Sequence, residues 1–208
     1  MQSQPGRASW WKEFRDILVQ PNFEAFLESE FKATKIDFFN GNCLVGLFQT
    51  EAYATATTKI IRTVPQTVQI RMLRQWHVLE KPEPPLIRLI LAEHILYREV
   101  GGRDVLREQL WHLSELAKQP NINIYLLPKK AAGSKFSLEF ENFIIHTKNL
   151  NSRGVLYIDH SMGMYRSINQ FEVVSCKIGF EDLLQQTLSK EESMQRLVEM
   201  AQNLALPE

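Results

Sequence analysis

The sequence predicts an α+β (mixed) fold in a single domain over residues 10–206. It has a helical N-terminal half, a small sheet of three to five strands with a long packed helix, and C-terminal helices. Three observations predict it. Apolar residues recur at helical spacing before residue 80, with Ile36–Phe39 as a short strand among them. Period-two alternation then appears, most clearly at Ile122, Ile124 and Leu126. Helical spacing returns after Gln170, and no internal repeat interrupts the series.

Each element has a local reason. Trp10, Trp11, Phe14 and Leu18 share one helical face, and Pro21 opens a second helix through Phe23, Phe26, Leu27 and Phe31. Asn40-Gly41-Asn42 is a turn after the Ile36–Phe39 strand. Thr50 caps a helix running to Ile61. Pro65 opens a longer helix with Val68, Met72, Trp76 and Leu79 as its apolar face and Arg71, Arg74 and Gln75 opposite. The prolines of residues 81–85 end it and lead to a buried strand, Leu86–Ala92. Gly101-Gly102 turns the chain into an amphipathic helix, 103–119, with Leu106, Leu110, Leu113 and Ala117 on one stripe. A strand over Ile122–Leu127 follows, then a glycine-containing loop at 129–135. Further strands are expected around Leu138–Ile145, Gly154–Ile158 and Met164–Ile168, with Asp159–Gly163 as a hairpin loop. A helix over Gln170–Leu188 carries Phe171, Val174, Ile178, Leu183 and Leu184, with Gly179 as a weak point. Ser189-Lys190-Glu191-Glu192 is a capping box for the last helix. Residues 1–9 read as disordered or as a linker remnant.

Composition excludes several classes. The 208 residues carry 24 basic and 24 acidic side chains, and neither half is a basic arm: 13 against 12 in residues 1–104, 11 against 12 beyond. A large electrostatic nucleic-acid footprint is therefore not expected. Cys43 and Cys176 are too few for a disulfide framework. The first residues lack the apolar core of a signal peptide, and the longest apolar run, Leu86–Leu96, is broken by Arg88, Glu93 and His94. The expectation is a cytoplasmic domain that does not engage membrane. Helix 103–119 and the last helix offer faces for a possible homodimer.

Motifs for chemistry are sparse. His77-x-x-Glu80 and His112-x-x-Glu115 are what chance supplies in this composition, and neither Cys-x-x-Cys nor His-Glu-x-x-His occurs, so no metal is expected. There is no Gly-x-Ser-x-Gly elbow and no phosphate-binding glycine loop, so no cofactor is expected. Cys43 and Cys176 read as buried small hydrophobes. The notable residues are polar groups within apolar stretches: Gln49, Glu93-His94, Arg98 and Asp159-His160. A carboxylate at the end of a buried strand needs a partner. Arg98, Arg74 or Arg88 would pair with Glu93 in a core ion pair; otherwise Glu93 lines a pocket.

Val45-Gly46-Leu47-Phe48-Gln49-Thr50-Glu51-Ala52-Tyr53-Ala54 resembles a Pro-Gly-Leu-Leu-Gln-Thr-x-x-Tyr-Ala signature. Trp10-Trp11, Arg71-x-x-Arg74-Gln75, Glu93-x-x-Leu96-x-Arg98-x-x-Gly101-Gly102, Arg107–Leu110, Asn121–Pro128 and Leu188–Ser193 continue the match in order. These blocks are similar to a domain of unknown function that forms the C-terminal part of actinobacterial Xre-type helix-turn-helix, antitoxin-like transcriptional regulators. The chain departs from that pattern at Val45, Ala92, the 129–135 loop and Asp159. Nine residues precede Trp10, too few for a DNA-binding helix pair, so operator binding by this chain alone is not expected.

The resemblance implies a sensor or antitoxin-like regulatory domain that binds a small-molecule ligand or a small partner protein. Its polar residues Gln49, Tyr53, Arg74, Glu93, Arg98 and Gln109 would line the pocket. The alternative is a free-standing, cofactor-independent enzyme (a cyclase, isomerase or hydrolase) using the same pocket. Its acid/base candidates are Glu93, Asp159, His160, Tyr53 and Tyr157.

Overall fold

The structure, a computed structural model, describes residues 10–17, 20–61, 66–131, 142–149, 152–160 and 163–204. β1 (Lys35–Asn40) lies in the middle of a six-stranded sheet of order β3-β2-β1-β4-β5-β6. β1, β2 (Leu86–Ala92) and β3 (Ile122–Leu127) run parallel. Parallel neighbours need long crossovers, and helices supply them. α2 (Glu51–Ile61) and α3 (Gln66–Leu79) lie between β1 and β2, and α4 (Arg103–Leu116) lies between β2 and β3. β4 (Asn142–Thr147), β5 (Val155–His160) and β6 (Gly163–Ser167) then add antiparallel strands on the other side of β1. The fold is the expected α+β domain. Its sheet exceeds the expected size because every run read as a strand candidate, Ile36–Phe39 included, joins the same sheet.

Side-chain alternation divides the core between two faces. Ile36, Phe38, Leu89, Leu91, Ile124 and Tyr157 point to one face, beneath the Trp10–Phe14 turn, α1 (Phe23–Lys32), α3, α4 and α6 (Lys190–Asn203). Phe39, Ile90, Phe143 and Leu156 point to the other, beneath α5 (Gln170–Leu184). Strands covered on both faces read as unbroken apolar runs, as Leu89–Ala92 does.

Two helices sit differently from the spacing. α3 turns Ile70, Arg74, His77 and Val78 inward, while Val68, Met72, Trp76 and Leu79 are only half-buried. Its polar side is drawn inward by partners on distant segments, which periodicity does not register. α5 buries Val173, Cys176, Phe180 and Leu183 and exposes Phe171, Val174 and Ile178. It is apolar on two opposite sides, so spacing alone did not select the inner one. Burial pushes the Cys176 thiol up to about 11, with Glu172 adding to the rise.

The ends are closed locally. The capping box forms as expected: Glu192 N–H donates to Ser189 Oγ at 3.2 Å and Ser189 N–H to Glu192 Oε2 at 2.8 Å. Ser193 Oγ then accepts from Leu126 N–H at 2.9 Å, and Leu188 N–H donates to Leu126 O at 2.9 Å. The start of α6 thereby covers the free edge of β3. α4 and α6 pack against each other, so much of the two faces read as dimer surfaces lies inside one domain. At Gly101 (φ +79°) a Cβ would sit 2.8 Å from the Cβ of Ala56, so glycine allows both the turn and the approach of α4 to α2. Among the described residues no helix is long and apolar enough to cross a membrane.

Candidate functional site

In open sheets with parallel strands, ligand sites form beyond the carboxyl ends, where neighbouring strands connect in opposite directions. Here that place is the end of β1, between β2 and β4. Asn40, the last residue of β1, is paired with Asn142, the first of β4. One rung beyond the Phe143–Ile158 pair, Asn142 is level with Asp159 of β5. All three share the face of Phe38, Ile144 and Tyr157 by strand alternation. Asn40 and Asn142 are buried and Asp159 is exposed. Asn142 Oδ1 accepts the Asn42 N–H at 3.3 Å, whereas Asn40 Oδ1 is buried without a hydrogen-bond partner among the described residues.

The segment after β1 arches over this row and is held from three elements. Gln49 Nε2 donates to Leu44 O at 2.8 Å. Gln75 Nε2, on α3, donates to Gly46 O at 2.9 Å and Gln49 O at 2.7 Å. Gln109, fully buried on α4, donates to Phe48 O and accepts from Thr50 N–H, both at 2.7 Å. Thr50 Oγ1 accepts the Tyr53 N–H at 3.2 Å, so Thr50 caps α2 as the sequence indicated. Leu47 and Phe48 anchor the arch in the core.

Four side chains surround it. Arg71 Nη1 donates to Gln49 Oε1 at 2.7 Å, and its stem crosses Gly46, where a Cβ would meet it at 3.4 Å. Burial, then the charge of Arg74, lowers the pKa of Arg71; Cys43 and Asp159 act in the opposite sense. Arg98 Nη1 donates to Asn42 O at 2.5 Å. Tyr53 is 5% exposed. Burial raises its pKa, Cys43 adds to the rise, and Arg98 opposes it. The Cys43 thiol is exposed. The expectation of a buried hydrophobe fails there because the chain turns Leu44 into the core instead.

Of the residues singled out by sequence, Tyr53 and Arg98 lie at this site, with Asp159 at its margin. Gln49 and Gln109 hold the arch. Arg74 belongs to the core: Nε and Nη2 each contact Glu30 at 2.6 Å, and the guanidinium lies 4.8 Å from the Phe26 ring centroid. Glu93 is paired with none of Arg74, Arg88 or Arg98. Arg196 of α6 reaches it at 2.8 Å, and the Tyr97 hydroxyl donates to it at 3.2 Å. Arg88 points to the opposite face of the sheet, at 2.6 Å from Asp37 and 2.7 Å from Glu181. Tyr157 is buried, its hydroxyl donating to Ala25 O at 3.1 Å. His160 ends β5, and its side chain lies outside what the structure describes, as do residues 1–9, Leu138 and Phe140. Sequence reading missed Asn40, Asn142, Arg71 and Cys43. Asn40 and Asn42 were visible only as a turn, although a polar residue closing an apolar strand was the available sign.

An open groove between α2 and α4, lined by Glu51, Thr55, Lys59, Gly101 and Glu108, shares none of these residues. Among the described residues no three His, Cys, Asp or Glu side chains gather as metal ligands would. No curated protein and no solved structure matches the chain. One family, described as a domain of unknown function (DUF5753), matches residues 23–199, which include α1, the whole sheet and the larger part of α6. With most of its length and the entire candidate site inside that match, the chain belongs to the DUF5753 family.

Proposed function

We propose that this chain is a ligand-binding regulatory domain of the cytoplasm, related to the C-terminal domains of helix-turn-helix regulators. Its ligand site is the sheet end over Asn40 and Asn142. The observation that carries the reading is unused hydrogen-bonding capacity within a fixed frame. Among the described residues Asn40 Oδ1 is buried without a partner, Tyr53 is nearly buried, and the backbone arch beside them is fastened at five carbonyl or amide groups. Buried polar groups are almost always satisfied, so an unsatisfied one beside a row of polar side chains suits a bound molecule. The arch joins the sheet to α2, α3 and α4, so a ligand seated there has differential contacts through which to bias those helices. No reaction is needed.

Native mass spectrometry of the purified chain, set beside its denatured mass, tests this. A native mass above the bare chain that falls on denaturation is expected, and the released mass separates a small molecule from a small partner protein. Tyr53→Phe should weaken retention about tenfold, the worth of one hydrogen bond at ~1.4 kcal/mol, with little change in melting temperature. Retention unaffected by Tyr53→Phe and Asn40→Ala would place the ligand elsewhere. A bare-chain mass throughout would count against the sensor reading.

A further inference from the structure

We infer that the ligand of this site carries an anionic group, a carboxylate or a phosphate, held between Arg71 and Arg98, and that the same molecule donates an N–H or O–H to Asn40. The inference rests on the ligand-site reading above and adds the charge of the ligand to it.

Five guanidinium groups of the fold are matched by carboxylates. Arg74 is matched by Glu30, Arg88 by Asp37 and Glu181, Arg196 by Glu93, Arg107 by Asp104 and Arg15 by Glu24. Among the described residues, Arg71 and Arg98 hydrogen-bond to neutral acceptors: Gln49 for the first, Asn42 for the second. Both grip the same arch, Arg98 near its start and Arg71 further along. Their acceptors, Asn42 and Gln49, bound the one short stretch of chain that follows β1, so the two cations hold opposite ends of it. Arg71 is half-buried, and a charge removed from water without a counter-ion is costly. Asp159 acts on Arg71 in the compensating sense. An incoming carboxylate or phosphate supplies the rest and matches the planar donor fork of guanidinium. Asn40 Oδ1 is an acceptor, so it requires a donor on the same molecule.

The test uses three probes on the whole chain at constant ionic strength: succinate, inorganic phosphate and the neutral analogue succinamide. Melting temperature is followed against probe concentration. At least one anion should give a saturable rise that succinamide does not give, and comparing the two anions separates carboxylate from phosphate. Arg98→Gln and Arg71→Gln should each weaken that response tenfold or more, and Arg107→Gln should leave it unchanged. Arg98 is exposed, so Arg98→Gln keeps the test decisive even if Arg71→Gln does not fold. Equal behaviour of succinate, phosphate and succinamide, or a saturable response surviving Arg98→Gln, overturns the inference. A retained neutral molecule released by Tyr53→Phe, with no anion response, overturns the charge assignment and leaves the ligand site standing. An anion response lost in Arg98→Gln, with no molecule retained by the wild-type chain, supports the charge assignment and counts against the sensor reading.

Discussion

Arg71 and Arg74 lie one turn apart on the same helix and are in opposite electrostatic states. Arg74 is buried, matched through two nitrogens to a fully buried Glu30, and stacked over Phe26. Arg71 is half-buried, bonded to an amide, and repelled by Arg74 itself. The first charge is enclosed by the fold and has little left to offer a ligand. The second is oriented by Gln49 and Gly46, and among the described residues no carboxylate forms a salt bridge with it. A helix that keeps both in neighbouring turns separates a structural charge from one held ready for another molecule.

The contrast is most strongly broken at the closed pair. Arg74→Ala or Glu30→Ala alone leaves a buried charge unmatched and should cost about 3–5 kcal/mol. Equilibrium urea unfolding measures this. The double replacement Glu30→Leu with Arg74→Met should recover most of the loss, because apolar groups of similar volume need no counter-charge. If the double variant is as unstable as either single one, packing rather than charge matching dominates there.

The arch is the next most sensitive region. Gln109→Ala strands Phe48 O and Thr50 N–H in the core and should cost roughly 2–4 kcal/mol, the sum expected for two unmet backbone groups. It should also loosen the setting of Arg71 against the sheet end. Hydrogen exchange confined to residues 44–54 would show this, and unchanged exchange there would detach Gln109 from the site.

How much of this was legible in the sequence depends on whether the information was local. The helix at 103–116, its leucine stripe, the capping box at Ser189 and the strand at Ile122–Leu127 were readable because their reasons lie within a few residues. The orientation of α3 was not. Its polar side turns inward only because Glu30, Gly46 and Gln49 stand there, 22 to 44 residues distant. The site was half-legible for the same reason. Tyr53 and Arg98 were flagged as polar members of recurring blocks. Asn40 became notable only when the register set it beside Asn142, 102 positions along the chain. Glu93 was recognised as needing a partner, but Arg196 is 103 residues distant, and no spacing rule reaches that far.

A smaller effect, graded by pH, comes from the core near the closed pair. Burial, with the charge of Arg74 adding to it, holds the His146 imidazole well below its ordinary range. Phe26 and Tyr157 pack on its ring, and Nδ1 lies 3.1 Å from Ser29 Oγ. The folded protein keeps His146 neutral, while the unfolded chain protonates it near pH 6.5. Its contribution is therefore fully present above about pH 6.5 and is lost as pH falls below that value. His112, also lowered by burial, works in the same direction. Melting temperature should fall from pH 7 to pH 5, and His146→Phe should flatten the slope. An unchanged slope would assign the acid sensitivity to other groups.

The smallest expected change tests the comparison most directly. Arg71→Met removes one hydrogen bond to Gln49 and also removes a desolvated charge that Arg74 repels. The two effects oppose each other, and stability should stay within about 1 kcal/mol of the wild type. Groups kept for binding are often neutral or unfavourable for stability, so a slight gain would fit as well. Urea midpoints of Arg71→Met and Arg74→Ala measured side by side decide the matter. If Arg71→Met falls as far as Arg74→Ala, the two arginines do the same work and Arg71 is part of the frame. If it stays near the wild type while the response to succinate or phosphate disappears, the fold holds this guanidinium in place without depending on it.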